Sequence, residues 1–156
     1  MLIYLAVAID KNPAVKTLPT GDHLVESGKK LGSKLVIYMP SRAFGITEPD
    51  ESGKALIAIN KYALSRADAV VAFYSPGVES WGLPMELAYA NEHNIPIYLV
   101  SNQSLDGAKY EQFPIYLKDL LPVEACFDIA EMDKMVNTMY SNFKGEKNGQ
   151  ASVEKN

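Results

Sequence analysis

The chain has 156 residues, 47% of them hydrophobic and 22% charged, and a net charge of −4. That length suits one domain with a sizeable core, and the balance excludes a disordered chain. The acidic charge argues against a nucleic-acid polymer or an anionic membrane as partner, since each needs a basic face. A small nucleotide in a pocket remains compatible with it.

The first apolar run, LIYLAVAI (2–9), has no basic flank and no small-residue cleavage site. It reads as a buried strand and not as a secretion signal. A helical pattern over 20–31 follows and closes near Gly32, where a helix end is common. KLVIYMP (34–40) is the second predicted strand, and a helix is predicted over 51–66. AVVAFYS (69–75) is the third strand, followed by a helix over 82–93. IPIYLVS (95–101) is the fourth, and ACFDI (125–129) a weaker fifth, leading into a helix over 130–143. Continuous β-branched and aromatic runs suit strands covered on both faces.

This alternation predicts an α/β fold: a single-domain, doubly wound, flavodoxin-like or Rossmann-like sheet of five mainly parallel strands, with helices on both faces. The stretch 102–115 is the longest irregular segment, a candidate lid or subunit contact. After Phe143 the chain is polar, carries glycine and lacks an apolar period. The expected domain is therefore 1–144, with a disordered tail over 145–156. No run reaches the roughly 18 apolar residues of a membrane span, and a cytoplasmic protein is expected.

The single cysteine, Cys126, excludes an internal disulfide, and with only His23 and His93 besides the chain does not suit structural zinc. After the first strand the residues are AVAIDKNP, with no GxGxxG, and neither GxxxxGK[ST] nor GxSxG occurs. No metal or cofactor is expected.

In open α/β sheets ligands bind beyond the carboxyl ends of the strands. Here those ends are Ala8 to Asn12, Pro40 to Phe44, Tyr74 to Gly82 and Ser101 to Ser104. The stretch SWGLPMELAYA (80–90) puts an acid at that edge. On a helix Leu83, Leu87 and Ala90 share one face, and Glu86 lies roughly 60° from Leu83, on its flank. Two readings of Glu86 stand. It is a structural acid tied to backbone amides or partly exposed, or it is a carboxylate kept ionised by the helix N-terminus and aimed into a pocket as nucleophile or base. Glu79 and Asp10 are the other acids at this edge, and either could be solvated. Gly77 and Gly82 permit a tight turn with close backbone approach. Trp81 could stack on a base or make a subunit contact. Arg42 could bind a phosphate or be a solvated loop residue. Tyr4, Tyr38, Tyr74, Tyr89 and Met85 read as core or interface, and Asp68, at the opposite edge, as a turn or cap residue.

The run ADAVVAFYSPGVESWGLPMELAYANEHNIPIYLV (67–100) resembles the core of nucleoside 2-deoxyribosyltransferases and the related nucleoside 5′-monophosphate N-glycosidases. Their pattern is D-x-G-x-x-x-E-L-G-x-A opening a helix, met here at Gly82, Glu86, Leu87 and Ala90, with Ser80 and Ala88 at the Asp and second Gly positions. The opening IYLA, with Tyr4, also resembles the family's first strand.

The resemblance implies that Glu86 attacks the anomeric carbon and displaces the base, leaving a glycosyl ester from which a second base or water takes the sugar. It implies that Tyr4 orients that carboxylate. Ser80 stands where the transferases carry a base-contacting Asp, and resembles the serine that contacts the 5′-phosphate in the N-glycosidases. Asn60 stands, in ungapped register, where the transferases carry another acid. The glycine-rich first loop of the N-glycosidases is absent, and Ala88 replaces the usual helix glycine. The implied activity is transfer of a 2-deoxyribosyl group between nucleobases, with Ser80, Asn60, Gly82, Trp81 and Arg42 binding substrate. Monophosphate hydrolysis and a non-catalytic nucleotide-binding module are the alternatives. The implied partners are a nucleoside or nucleotide, a free nucleobase and further copies of the chain in a homo-oligomer.

Overall fold

The computed structural model describes residues 1–7, 18–30, 32, 35–40, 54–74, 82–101 and 114–153. Five strands, β1 (Leu2–Val7), β2 (Val36–Tyr38), β3 (Ala69–Tyr74), β4 (Ile97–Ser101) and β5 (Cys126–Asp128), form one sheet in the order β2-β1-β3-β4-β5. All four pairings are parallel, as expected of a doubly wound α/β sheet. The strand order reverses between β1 and β3, the switch point beside which such sheets hold ligands.

Among the described residues five α-helices accompany the strands: α1 (Leu18–Lys30), α2 (Lys54–Ser65), α3 (Gly82–Glu92), α4 (Ile115–Leu120) and α5 (Met132–Val153). Alternation along each strand divides the core. Ile3 and Leu5 of β1 pack with Leu24 of α1 and with Met135, Val136 and Met139 of α5. Tyr4 and Ala6 point the other way and pack with Leu64 of α2, Leu83, Leu87 and Ala90 of α3, and Leu117 of α4. Tyr4 is therefore committed by strand parity to the face that carries Glu86.

Two small features hold this frame in register. Asp68, just before β3, accepts from the Leu2 amide through Oδ2 at 2.6 Å. Its own amide donates to the Leu2 carbonyl at 2.8 Å, so beyond serving as a turn or cap residue it ties the start of β3 to β1. Gly32 follows α1 in the left-handed region, φ +64°, and its amide donates to the Lys29 carbonyl at 3.0 Å. A Cβ would meet no neighbour there, so the cost of replacing it is conformational. Gly32→Ala is expected to lower the unfolding free energy by about 1 kcal/mol, read from the denaturation midpoint at unchanged slope.

The structure departs from expectation in two elements. Helix α4 falls just after the segment that reads as irregular. At six residues, IYLKDL, it is too short to display a period, and its anchor is a single fully buried side chain, Leu117. Helix α5 runs on to Val153, into the span expected to be disordered. The missing apolar period in KGEKNGQASV reports the lack of a core-facing stripe, which is a different property from the lack of helix. Residues 102–113, within the candidate lid or contact, lie outside the described residues. Among the described residues no helix is long and apolar enough to cross a membrane.

Candidate functional site

The site is built where β1 passes beneath the first turns of α3. Leu83, Leu87 and Ala90 are the buried residues of α3, which turns the flank bearing Glu86 toward the sheet. There the Tyr4 hydroxyl donates to Glu86 Oε1 at 2.5 Å, within the short range of a charge-assisted O–H···O bond. Tyr4 is completely buried, so its ring is core while its hydroxyl belongs to the site. A phenol held this way allows the carboxylate little freedom to rotate.

Burial also sets the protonation of the pair. It lifts the Glu86 carboxyl from 4.5 to about 7, against the opposing pull of the Tyr4 hydrogen bond. A carboxylate aimed into a pocket here carries a desolvation cost that the sequence around it does not display. Loss of water outweighs the phenol, and ionisation is poised at neutral pH. Burial first, and the nearby Glu86 charge second, push the Tyr4 phenol far above its ordinary value. It remains a donor at every pH at which Glu86 titrates.

Around this pair a cavity of about 460 Å³ opens between α2 and α3. Apolar walls come from Ile57, Leu64, Met85 and Tyr89, and polar groups from Asn60, Lys61, Glu86 and Glu92, with Gly82 at the start of α3. An apolar cleft with a few convergent polar groups and one acid of shifted pKa is the usual form of a small-molecule site. Asn60 is half-buried, and its Oδ1 accepts from the Tyr38 hydroxyl at 2.8 Å.

Of the residues singled out in the sequence, the cavity gathers Tyr4, Asn60, Gly82 and Glu86, and also Met85 and Tyr89, which read there as core or interface. Arg42, Ser80 and Trp81 lie outside the described residues, as do Asp10, Gly77 and Glu79. Gly82 does not have the positive φ that favours glycine, and a Cβ on it would meet nothing within 4 Å. Close backbone approach within the chain is therefore not its role; the missing side chain leaves that stretch of cavity wall open. Lys61 and Glu92 carry no motif, and only the packing of α2 against α3 brings them in. Tyr38 reads from sequence as core or interface, because its partner across the sheet is visible only once β1 and β2 are in register. Among the described residues no group of three or more His, Cys, Asp or Glu could hold a metal ion.

The chain shares its fold with a 2-deoxyribosyltransferase from the psychrotolerant bacterium Bacillus psychrosaccharolyticus. The TM-score is 0.59 at 16% identity, over 78% of this chain and 82% of that one. A conserved protein from Enterococcus faecalis V583 has the same fold, with a TM-score of 0.60 at 16% identity over 90% of this chain and 98% of that one. No protein-family model and no curated protein matches the sequence.

Proposed function

We infer that the chain cleaves the N-glycosidic bond of nucleosides and passes the 2-deoxyribosyl group to a second nucleobase through a glycosyl ester on Glu86. The observation that carries this reading is the Glu86 carboxylate clamped by Tyr4 at 2.5 Å on the wall of a cavity of about 460 Å³. A cavity of that volume suits a ligand of nucleoside size. The fold held in common with a 2-deoxyribosyltransferase supports the reading.

The chemistry divides into two displacements at one carbon. A Glu86 oxygen bonds to C1′ while the C1′–N bond breaks, and the electron pair of that bond leaves with the base. Tyr4 holds Oε1, which leaves the second oxygen free to attack. A ring nitrogen of the incoming base then bonds to C1′ and gives up its proton to water, which in turn protonates the departed base, and the ester's C–O electrons return to Glu86. Asn60 and Gly82 would contact the base and sugar, with Ser80, Trp81 and Arg42 completing the site from neighbouring segments. A cytoplasmic setting accompanies this reading. A homo-oligomer belongs to it as well, supported by apolar side chains left exposed on α2, α3 and α4, among them Tyr62 at 66%, Met85 at 73% and Ile115 at 75%. Light scattering showing a monomer at working concentration would remove that part.

A second reading, hydrolysis of nucleoside 5′-monophosphates, is favoured by Lys61 on the cavity wall, a cation that a phosphate could pair with. One experiment separates the two. Free base released from deoxynucleosides and from their 5′-monophosphates is followed by chromatography, with and without a second base. New nucleoside formed only when the acceptor is present is the expected result. Release from monophosphates alone, without exchange, would replace transfer by hydrolysis. Binding without release from any substrate would leave a nucleotide-binding module.

A further inference from the structure

Tyr38 takes no part in the displacement chemistry, yet it touches two residues of the site. Tyr4 and Tyr38 are opposite one another in the parallel β1–β2 pair, so their side chains leave the same face of the sheet. The rings stack with centroids 5.5 Å apart and planes 29° apart. From that position the Tyr38 hydroxyl reaches across to α2 and donates to Asn60 Oδ1 at 2.8 Å. Burial, and then the Glu86 charge, raise the Tyr38 phenol, so it keeps the proton that it donates.

A primary amide has an acceptor end and a donor end. With Oδ1 engaged by Tyr38, the end turned away from Tyr38 is Nδ2. Asn60 lines the same cavity as Glu86, and among the described residues Nδ2 meets no acceptor. Within the described residues the space open to its two N–H groups is the cavity that Asn60 lines.

We propose that Tyr38 is a positioning residue that determines specificity: it locks the Asn60 amide with its N–H donors toward the cavity, so that the departing base is held through an acceptor atom on its edge. The inference rests on the N-glycosidic reading of the site. As the C1′–N bond breaks, its electron pair passes into the base, and negative charge builds on the acceptor atoms of the ring. A fixed amide donor stabilises that charge without giving up a proton. A carboxyl group at the same place would donate only while protonated. The locked amide therefore favours bases whose facing edge carries an unprotonated ring nitrogen or a carbonyl oxygen, and discriminates against those that present C–H or N–H there.

The test compares purine 2-deoxynucleosides in which each ring acceptor nitrogen outside the glycosidic bond is replaced in turn by C–H. Wild type, Tyr38→Phe and Asn60→Asp are assayed side by side, with thermal melts to establish that each is folded. Tyr38→Phe keeps the ring against Tyr4 and removes the hydroxyl alone. In the wild type one replacement should lower kcat/KM by about tenfold or more, and in Tyr38→Phe that penalty should shrink to roughly threefold or less. The loss should fall on the parent substrate, with the replaced substrate almost unaffected. Asn60→Asp still accepts from Tyr38 but turns the cavity end into an acceptor once ionised, so the parent rate should fall, and fall further as rising pH ionises the new carboxyl.

A penalty of equal size in wild type and Tyr38→Phe overturns the proposal while leaving N-glycosidic cleavage intact. No release from any substrate by the wild type overturns the N-glycosidic reading itself. The same proteins are then titrated calorimetrically with free adenine and its C–H analogues. A penalty in affinity that shrinks in Tyr38→Phe upholds the amide lock on its own, and an unchanged penalty or no binding ends it.

Discussion

Glu86→Gln is expected to reduce base release by roughly 10⁴-fold or more and, at the same time, to make the protein more stable in mildly alkaline solution. The second effect follows from burial. The folded-state pKa of Glu86 is raised from 4.5 to about 7. A group raised in this way contributes stability that is fully present below its unfolded pKa and is lost as pH rises through the folded one. Between about pH 4.5 and pH 7 the wild type therefore progressively forfeits on the order of 2–3 kcal/mol. The glutamine side chain carries no charge to desolvate and still offers an oxygen to the Tyr4 hydroxyl. Wild type and variant should melt together near pH 4 and diverge by pH 8.5, the variant melting higher. Glu86→Ala is a less clean probe, since it would leave the buried Tyr4 hydroxyl without the carboxylate it bonds. Parallel denaturation curves at both pH values, combined with lost activity, would separate catalysis from electrostatic strain. A variant less stable than wild type at every pH, with activity falling only as folded protein falls, would make Glu86 a structural acid.

That a stabilising substitution should be inactivating reflects how the site is made. Burial takes water away from the acid, and Tyr4 returns one hydrogen bond in place of it. In the proposed chemistry a poorly solvated carboxylate would favour bonding to an electron-poor carbon over remaining an ion. The same desolvation holds part of the population protonated at pH 7, so activity should still be rising there.

Much of the frame can be read from the chain because its signals are local. Runs such as AVVAFY are continuous and β-branched, and β3 spans Ala69–Tyr74, within one residue of the predicted strand. The stripe Leu83, Leu87, Ala90 is buried, and Glu86 does lie on its flank. What escapes is set by contacts between distant segments. The pairing of Tyr38 with Tyr4 depends on strand register, which neither strand encodes alone. The entry of Asn60 into the cavity is expected from resemblance, but the capture of its Oδ1 by Tyr38 has no counterpart in any motif. The burial that raises the Glu86 carboxyl comes from other elements and so leaves no signal in the sequence around it. Helix α4 is missed because six residues anchored by one buried leucine carry too little pattern to distinguish helix from loop.

Tyr4→Phe should act on rate and on pH dependence together, and its pH signature is the more telling. The substitution removes one oxygen and keeps the buried ring stacked on Tyr38, so the fold should survive with a loss of about 1 kcal/mol for the missing hydrogen bond. That hydrogen bond is the influence that lowers the Glu86 pKa against burial. Without it the carboxyl should titrate well above 7, and the rise of kcat/KM with pH should move to higher pH by about one unit. Even on the alkaline plateau, where Glu86 is ionised in both proteins, the variant should be roughly 10²-fold slower, because its carboxylate is no longer held in line with C1′. Since the Tyr4 phenol is pushed far above its ordinary value, the wild-type profile should show no descending limb from Tyr4 up to pH 9. The measurement is log(kcat/KM) for base release against pH, from 5.5 to 9, in both proteins. A profile that only drops, without moving along the pH axis, would mean that Tyr4 shapes the cavity but does not control the proton on Glu86. Superimposable profiles would remove Tyr4 from the site altogether and return it to the core, where its ring already belongs.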